Sequence, residues 1–509
     1  MSQLFGTDGV RGLANRKLTA QLALEMGDAA VRVLAKDCGE GRRRVVVGRD
    51  TRVSGDFLAA ALESGMAAGG FDIIDAGIIP TPGVAFLASV LNVEIGAVIS
   101  ASHNPMPDNG IKFFAQGGFK LPDSKEDEIE KCLGTEWERP TGAAVGRISH
   151  DEKTPSNIYI DHLVSAIDPA DSPHTSAASG SAADNSDSHV IFDGGFDGGS
   201  AGDSGSISDS QANSGQAGSG QSGSEQSSSK PLAGLRIVID CANGAASYVA
   251  PEAFRRAGAE VSVINAYPDG YNINKEAGST HPERLQAMVR ASDADMGVAF
   301  DGDADRCIAV DEDGKLVNGD KIMGILARSY KEQGLLENDT LVVTVMSNLG
   351  LKLALRDMGI KTVETAVGDR YVLEEMLRGG YTLGGEQSGH VINRRFSTTG
   401  DGTLTALCLA NEVMRSGKSL KQLAADFPQL PQTLINVPNV DKAASKTNKA
   451  VLEAVEREEH SLGGAGRVLL RPSGTEPLVR VMVEAATQEQ SDEVARRLAD
   501  TVATELKLN

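Results

Sequence analysis

One short acidic segment, DGDADR (301–306), has the composition of a metal site. It places three aspartates at alternate positions: Asp301, Asp303 and Asp305. Neighbouring carboxylates repel one another, and hard oxygen ligands of this kind suit Mg²⁺ or Ca²⁺. The spacing partly fits a calcium-binding EF-hand loop, but Arg306 stands where that loop requires glycine, and both flanks have strand patterns rather than helical ones. Mg²⁺ is therefore the expected ion, and a calcium loop and an unliganded acidic turn are the alternatives.

A second segment, ISASHNPMPDNGIKFF (99–114), offers a nucleophile on a loop. Ser102 stands beside His103, and the Asn-Pro pair that follows favours a tight turn. Loops at the carboxyl ends of parallel strands are where open α/β sheets bind ligands. Ser100 and Ser102 are both candidate nucleophiles, and an ordinary serine-rich turn is the alternative. Lys112 is a candidate phosphate ligand or proton carrier.

A third segment, GGEQSGH (384–390), is suited to a sugar. Its glycines let the backbone approach a ligand closely. Glu386 and Ser388 offer an acceptor and a hydroxyl for sugar hydroxyl groups, and His390 could carry a proton. A glycine-rich turn that ends a strand explains the segment about as well.

The fourth segment, RPSGTEPLVR (471–480), has the composition of a phosphate cradle within an acidic protein. Its candidate phosphate ligands are Arg471, Ser473, Gly474, Thr475 and Arg480. Arginine side chains and free backbone N–H groups both bind phosphate oxygens. A simple hairpin turn is the alternative.

Strand and helix signals alternate through most of the chain. Residues 44–50 and 71–79 have strand patterns, and 54–70 a helical one with Ser54 as its N-cap. Thr81 is expected to cap the next helix, which runs to about residue 92. Near-continuous apolar strands separated by helices are typical of a parallel sheet that is covered on both faces. The fold class is therefore α/β: three parallel-sheet α/β domains and a C-terminal α+β domain around one central cleft.

The four segments fall in four different predicted domains. Their boundaries, with a Ser/Gly-rich insertion between the first two, are predicted at 1–168, 169–230, 231–318, 319–430 and 431–509. The insertion (169–230) is acidic and dominated by Ser, Gly, Ala, Asp and Gln. A segment this polar buries too little apolar surface to offset the entropy of ordering its backbone, so it is predicted to be disordered.

Composition excludes several classes of protein. The 509 residues carry a formal net charge of −21 and only 4 % aromatic residues, which argues against nucleic acid and anionic membranes as partners. The five cysteines show no paired spacing, which indicates neither a zinc site nor a disulfide framework. No long apolar run or signal-peptide pattern is present, so a cytoplasmic protein is expected.

Taken together and in this order, the segments resemble the α-D-phosphohexomutase family, within it the branch that acts on glucosamine phosphates. The matching motifs span nearly the whole chain outside the insertion: FGTDGVRG, ISASHNP with DNGIKFF, FDGDADR, VGDRYV, EQSGHVI and GTEPLVRVMVE. Ala304 departs from the glycine of many relatives, at a position whose side chain is not a ligand.

The resemblance implies a role for each candidate residue. Ser102 would be phosphorylated, as activity would require, and Asp301, Asp303 and Asp305 would hold one Mg²⁺ per subunit together with that phosphate. Arg11 and Arg306 would steady the phosphoryl group, with His103 and Lys112 beside it. Glu386 and Ser388 would bind the sugar, while the 471–480 segment would bind the non-reacting phosphate. His390 and Lys112 would be the candidates for proton transfer.

The implied reaction interconverts glucosamine 6-phosphate and glucosamine 1-phosphate through a bisphosphorylated sugar, on the route to UDP-GlcNAc and cell-wall precursors. The expected partner is thus a small amino-sugar phosphate, and a homodimer is possible. The alternatives are phosphomannomutase or phosphoglucomutase activity on the same scaffold, and a nonenzymatic sugar-phosphate-binding protein.

The insertion is predicted to be dispensable for chemistry, because none of the motif residues falls inside it. Replacing residues 172–229 with a short Gly/Ser bridge should leave kcat within a few-fold and stability equal or slightly higher. Loop-closure entropy changes by only about 0.6 kcal/mol per doubling of length. Steady-state assays and thermal unfolding of the deletion variant measure this. The island HVIFDGGF (189–196) is the place where the prediction would fail, and misfolding or loss of most activity would show that the segment is structural.

Overall fold

Four sheets organise the residues that the computed structural model describes, which are 4–6, 8–35, 43–167, 230–473 and 478–508. The predicted insertion lies outside the described residues except for Lys230. Each of the four segments singled out above belongs to a different sheet. The domain boundaries given above remain predictions.

The first sheet carries the serine segment. Its strands are β1 (Val10–Leu13), β2 (Arg44–Arg49), β3 (Asp72–Ile78), β4 (Ile95–Ile99), β5 (Asp108–Ala115) and β6 (Ile148–His150). Its helices are α1 (Ala20–Leu34), α2 (Ser54–Ala68), α3 (Thr81–Val90), α4 (Asp123–Cys132) and α5 (Lys153–Ser165). The strand order is β1-β5-β4-β2-β3-β6, and β5 runs antiparallel to both of its neighbours while β2, β3, β4 and β6 are parallel.

Two local expectations for this sheet need correction. Ser54 and Thr81 are the first residues of α2 and α3, and the caps are Val53 and Pro80, one position earlier in each case. Residues 108–114 were expected in a loop but form most of β5, so Lys112 lies on a strand and pairs with Val98 of β4. An antiparallel return strand needs only a short connection, which the Asn-Pro turn provides.

The second sheet carries the aspartate segment. Its strands are β7 (Arg236–Asp240), β8 (Glu260–Ile264), β9 (Met296–Phe300), β10 (Cys307–Asp311) and β11 (Leu316–Val317), in the order β11-β10-β9-β7-β8. Its helices are α6 (Ala246–Arg256) and α7 (Glu283–Ala291). β7 and β9 are parallel, whereas β9 and β10 form an antiparallel pair joined by residues 301–306.

The third sheet carries the sugar segment. Its strands are β12 (Thr340–Thr344), β13 (Lys361–Thr365), β14 (Leu383–Gly385) and β15 (Val391–Asn393), in the order β13-β12-β14-β15. Its helices are α8 (Gly319–Glu332), α9 (Leu349–Asp357), α10 (Asp369–Gly379), α11 (Gly402–Ser416) and α12 (Leu420–Ala425). β12 and β14 are parallel, and β14 and β15 are antiparallel, with residues 386–390 as their connection.

The first three sheets therefore place the serine, aspartate and sugar segments at the same topological position. In each, the segment leaves the end of a parallel strand (β4, β9 or β14) and returns as an antiparallel one (β5, β10 or β15). The carboxyl end of a parallel strand is where α/β sheets bind ligands. The α/β class is confirmed, and the antiparallel return strands are a feature that the sequence patterns did not predict.

The fourth sheet is small and fully antiparallel, as expected of an α+β domain. Its strands are β16 (Gln432–Pro438), β17 (Arg467–Pro472) and β18 (Leu478–Glu484), and its helices are α13 (Lys449–Leu462) and α14 (Gln488–Glu505). The helix predicted over 444–459 begins at Lys449 instead, because Asn448 caps it by accepting from the Val451 N–H.

The apolar core divides the chain unevenly. One continuous cluster of buried side chains includes Val98 of the first sheet, Phe300 of the second and Val343 of the third. The fourth sheet has a separate cluster that includes Val481 and Leu498. The first three sheets thus share one core, and the fourth meets the third through polar groups.

A buried ion pair lies at that meeting point. Glu484 is fully buried on β18; its carboxylate accepts from Arg467 Nε at 2.7 Å and from the Leu349 N–H, at the start of α9, at 2.8 Å. Arg467 in turn donates to the carbonyl oxygens of Val345 and Ser347 at 3.0 and 2.7 Å. The pair therefore joins the fourth sheet to the loop before α9.

Glu484→Ala should destabilise the protein by about 3–5 kcal/mol, because it takes the carboxylate partner from the mostly buried Arg467 and the acceptor from Asn348 and the Leu349 N–H. Differential scanning calorimetry should show a lower transition temperature. The matched control is Arg356→Ala, which removes an ion pair with Asp357 in which both side chains are 71 % exposed; it should cost less than about 1 kcal/mol. Equal shifts for the two variants would contradict the assigned role of Glu484.

Candidate active site

Ser102 lies at the end of β4 with its hydroxyl against the aspartate segment. Its Oγ donates to Asp301 Oδ2 at 2.5 Å and lies 3.3 Å from His103 Nδ1. The residue is fully buried and has a φ of 51°, in the left-handed region. The loop thus points the Ser102 hydroxyl across the boundary between the first two sheets.

Ser100, the other candidate nucleophile, is turned away from the aspartates. Its Oγ donates to Asp50 Oδ2 at 2.6 Å and accepts from the Ser102 N–H at 2.9 Å. Asp50 is itself ion-paired with Arg52. Ser100 therefore has the contacts of a loop-supporting residue.

The three aspartates converge as the metal hypothesis requires. Carboxylate oxygens of Asp301, Asp303 and Asp305 lie within 4.8 Å of one another, and all three residues are buried. Asp303 Oδ2 accepts from Thr81 Oγ1 at 2.7 Å and from Lys112 Nζ at 3.1 Å. Asp303 Oδ1 and Asp305 Oδ1 are buried and have no hydrogen-bond partner. These two oxygens are the atoms that a cation would satisfy.

The charges of the triad are only partly balanced by the protein. Burial, and then the charges of Asp305 and Asp303, raise the pKa of Asp301 well above its usual range. Burial also acts to raise the pKa of Asp303, but Lys112 and the Thr81 hydrogen bond bring it below its ordinary value. A carboxylate that cannot stay ionised without a further positive charge is what a divalent metal site requires. The donor set fits Mg²⁺.

Lys112 on β5 is the central cation of the site. Its Nζ lies 3.1 Å from Asp303 Oδ2, 3.0 Å from Asp8 Oδ2 and 4.0 Å from Asp305 Oδ2. Burial acts to lower the pKa of Lys112, but these carboxylates raise it above its ordinary value. Lys112 therefore holds its proton firmly and acts as a fixed positive charge.

A polar cavity of about 560 Å³ lies beside this cluster. Of the predicted site residues, its lining includes Arg11, Asp305, Arg306, Glu386 and His390. Residues of the first three sheets therefore share one pocket, with a volume in the usual range for small-molecule sites. Ser102 is not part of this lining and lies fully buried behind it.

The sugar segment forms one wall of the cavity. Glu386 Oε1 accepts from the Gly368 N–H at 2.7 Å, and Ser388 Oγ donates to Glu386 Oε2 at 3.4 Å. His390 is buried, and its Nε2 lies 3.6 Å from Asp369 Oδ2. An imidazole beside a carboxylate is a usual arrangement for a proton carrier.

Three further charged residues of the site were not predicted. Lys120 Nζ lies 2.7 Å from Asp8 Oδ1 and is also ion-paired with Asp369. Asp8 is ion-paired with Arg11 as well. Asp8 and Asp369 lie inside the motifs FGTDGVRG and VGDRYV, so the motifs were the available signal. The pairs that Lys120 forms with Asp8 and Asp369 span more than 100 positions, beyond the reach of local patterns.

The C-terminal segment is only partly described. Gly474 and Thr475 lie outside the described residues. Arg471 and Arg480 face each other as paired positions of β17 and β18, and Arg480 Nε is buried without a hydrogen-bond partner. The Ser473 carbonyl accepts from Lys442 Nζ at 2.9 Å. Within the described chain, none of these residues lines the 560 Å³ cavity, so their part in the site remains a prediction.

The geometry is that of an enzyme site with a buried acidic cluster that suits a metal ion, assembled by successive α/β domains, and comparison with known proteins identifies the family. Domain profiles of phosphoglucomutase/phosphomannomutase match in order: α/β/α domain I at residues 2–139, domain II at 219–314, domain III at 318–430 and the C-terminal domain at 434–501. The chain belongs to the phosphoglucomutase/phosphomannomutase family.

Relatives agree with this assignment at two levels. A phosphoglucosamine mutase of Bifidobacterium longum subsp. infantis is 69 % identical, over 100 % of both chains. Solved structures share the fold at low identity. A Burkholderia thailandensis phosphoglucomutase/phosphomannomutase family protein has a TM-score of 0.72 at 22 % identity, covering 100 % of this chain and 99 % of its own. The Aspergillus fumigatus N-acetylphosphoglucosamine mutase in complex with GlcNAc-6P and magnesium has a TM-score of 0.59 at 17 % identity, covering 98 % and 95 %.

Hydropathy adds one finding to the comparisons. Among the helices of the described residues, none has both the length and the apolar character needed to cross a membrane.

Asp301→Asn should separate two effects of the acidic cluster: its destabilisation of the metal-free protein and its stabilisation of the protein by bound Mg²⁺. Without metal, this variant should unfold at the wild-type temperature or above it, because asparagine cannot ionise and so avoids the desolvation and repulsion that raise the pKa of Asp301. For wild type, Mg²⁺ at a hundred times its Kd should add about 2.7 kcal/mol, and that gain should disappear in the variant. Thermal unfolding with and without Mg²⁺ measures both effects.

The control is Asp313→Asn in the turn after β10, where Asp313 pairs with Lys421 at the surface. It should keep the full Mg²⁺-dependent shift. An Asp301→Asn variant that keeps this shift would show that the cation binds elsewhere.

Proposed function

We propose that this chain is a phosphoglucosamine mutase, which interconverts glucosamine 6-phosphate and glucosamine 1-phosphate in the cytoplasm and supplies UDP-GlcNAc and peptidoglycan precursors. Ser102 would carry the transferred phosphoryl group, with one Mg²⁺ per subunit. The observation that carries the proposal is the 2.5 Å contact between Ser102 Oγ and Asp301 in the buried aspartate segment. The family membership and the 69 % identical relative of that name support the enzyme class and the substrate.

A resting phosphoserine explains how a neutral serine can take part. Phosphoserine donates its phosphoryl group to the substrate, which becomes a bisphosphate, and the other phosphate of this intermediate then restores the phosphoserine. Such in-line transfers depend on positioning and charge neutralisation. Arg11, Arg306 and Lys112 are cations whose charges act on His103, the residue next to Ser102. Bound by Asp301, Asp303 and Asp305, Mg²⁺ would neutralise negative charge on the phosphoryl oxygens.

Of the two candidate proton carriers, the contacts favour His390. Lys112 is held as an ammonium by three carboxylates, which suits a phosphate ligand better than a base. His390 stands next to Asp369 in the cavity wall and can exchange a proton with a sugar hydroxyl. Burial, and then the charges of Arg306 and Arg11, lower the pKa of His103 to about 4, so this residue is a neutral neighbour of Ser102.

Recognition of the substrate would be divided between two segments. Glu386 and Ser388 are placed to bind the sugar ring, and Glu386 offers a carboxylate to a protonated 2-amino group. Arg471, Ser473, Gly474, Thr475 and Arg480 would bind the phosphate that does not react. After the first transfer the bisphosphate must reorient, so that the other phosphate now reaches the C-terminal segment.

Two other functions fit the site and the relatives less well. Phosphomannomutase or phosphoglucomutase activity would use the same scaffold, but the relatives at 50–70 % identity over nearly the whole chain carry the phosphoglucosamine mutase name. A nonenzymatic sugar-phosphate-binding protein would not need a serine hydroxyl against a metal site. A homodimer remains a prediction.

Purified enzyme should prefer glucosamine 6-phosphate over glucose and mannose phosphates in kcat/KM, by about ten- to a hundredfold. A charge-assisted hydrogen bond between Glu386 and the amino group, of about 1.5–3 kcal/mol, accounts for this range. Competition assays with mixed substrates measure the preference directly. Equal or better turnover of glucose 1-phosphate would assign the chain to the alternative mutase activity.

Two variants separate the substrate from the chemistry. Glu386→Gln keeps an acceptor for the Gly368 N–H but loses the charge, so it should reduce the preference for the amino sugar more than it reduces turnover of glucose phosphates.

Ser102→Ala should abolish turnover of every hexose phosphate and remove a mass of about 80 Da from the intact protein. Substantial turnover by Ser102→Ala would overturn the phosphoserine role.

A further inference from the structure

The loop that carries Ser102 is held by two side chains that no motif singled out. The Ser102 carbonyl oxygen accepts from Asn274 Nδ2 at 2.8 Å and from Arg52 Nη2 at 3.2 Å. The same two side chains reach the carbonyl of Asn104, at 3.3 and 2.6 Å respectively. Asn274 and Arg52 are both buried. The two carbonyls of this turn are thus fixed by a pair of shared donors.

Ser102 needs such support because its backbone adopts a conformation that residues other than glycine rarely adopt. Its φ of 51° persists only where the surrounding structure over-determines it. Within the first sheet, Ser100 and Arg52 supply part of that support. Asn274 supplies the rest from outside the sheet.

Asn274 belongs to the second domain, in the segment between β8 and α7. Its own N–H donates to the Ala242 carbonyl at 2.9 Å, just after β7. Its side chain therefore ties the Ser102 turn to the scaffold of the second sheet, which also carries the aspartates. This contact sets the position of Ser102 relative to the aspartate segment.

The packing around this contact leaves no room for adjustment. A Cβ atom added to Gly302, inside the aspartate segment, would lie 2.7 Å from the Ser102 carbonyl oxygen and 2.9 Å from Asn274 Nδ2. The serine turn, the asparagine amide and the aspartate segment therefore meet at one closely packed point. A shift of the Ser102 carbonyl would move the hydroxyl away from Asp301.

We propose that Asn274 is a positioning residue for phosphoryl transfer: it holds Ser102 in the left-handed conformation that aims its oxygen at the aspartate segment. This role rests on the proposed phosphoserine chemistry. Asn274 acts through Ser102 and is not itself a catalytic residue. Its loss should slow the transfer step and leave the binding of the sugar phosphate nearly unchanged, because the sugar segment belongs to the third sheet.

Two substitutions remove the donor in different ways. Asn274→Asp keeps the shape but replaces the N–H donor with an oxygen. Asn274→Gly removes the side chain, and glycine tolerates the φ of 58° that Asn274 adopts. The matched control is Asn272→Asp, the same change two positions earlier, in a residue whose side chain contacts the Tyr267 carbonyl and the Asp269 N–H. The control reports the effect of an added charge near the surface of this segment, and Asn274→Gly, which adds no charge, reports the loss of the donor alone.

The experiment measures steady-state kcat and KM with glucosamine 6-phosphate, and single-turnover transfer from phosphorylated enzyme to glucosamine 6-phosphate or glucose 6-phosphate. Both Asn274 variants should lower kcat and the single-turnover rate by tenfold or more, with about a hundredfold for a displacement of 1 Å. KM should stay within about threefold, and Asn272→Asp should stay within about threefold in both parameters. Rates are taken below the unfolding transition of each variant and corrected for the folded fraction.

Wild-type rates in either Asn274 variant would overturn the proposal, as would a loss that appears only in KM or is explained by unfolding. If Asn274→Asp does not fold, the result with Asn274→Gly decides. The use of two acceptor sugars keeps this test apart from that of the proposed function. A wild-type enzyme that transfers only to glucose 6-phosphate would refute the substrate assignment and still report on Asn274.

Discussion

The burial of three carboxylates within 4.8 Å of one another is the constraint on which the other parts of the site depend. Such a cluster cannot persist without positive charge close by, because the interior screens repulsion weakly. The protein supplies that charge from another sheet: Lys112 extends from β5 to Asp303, and Thr81 of α3 donates to the same carboxylate. The first two sheets are therefore joined at the aspartate segment itself. The negative charge that remains unbalanced makes the segment suited to a metal ion.

A second layer of charges connects this cluster to the third sheet. Asp8 binds Lys112 on one side and Lys120 on the other, and Lys120 reaches Asp369 next to His390. Alternation of sign along this row keeps each buried charge compensated by its neighbours. This row of charged side chains runs along one side of the cavity, from the aspartate segment to the sugar segment. Removing Lys112 or Lys120 would therefore affect groups in two domains.

Much of the site was predictable because its residues fall in short segments with unusual composition. Local patterns singled out the aspartate segment, Glu386 and the pair Ser100 and Ser102, and the α/β class follows from apolar strands that alternate with helices. Two kinds of feature were not predictable in this way. The segment around Lys112 has the turn-forming residues of a loop but forms β5, because pairing with β4 and β1 satisfies its backbone. Asp8, Lys120 and Asn274 acquire their roles only from partners far away in sequence.

The distribution of buried apolar side chains bears on how a bisphosphate intermediate could reorient in the site. The first three sheets share one apolar cluster, so separating them would expose buried surface at about 25 cal/mol per Å². The fourth sheet has its own core and meets the third through Glu484, Arg467 and Asn348, whose hydrogen bonds water can replace. Moving it therefore exposes less apolar surface than moving any of the other three. A site whose fixed chemistry is held by three sheets, and whose phosphate-binding segment lies on the fourth, is expected to open at this polar junction.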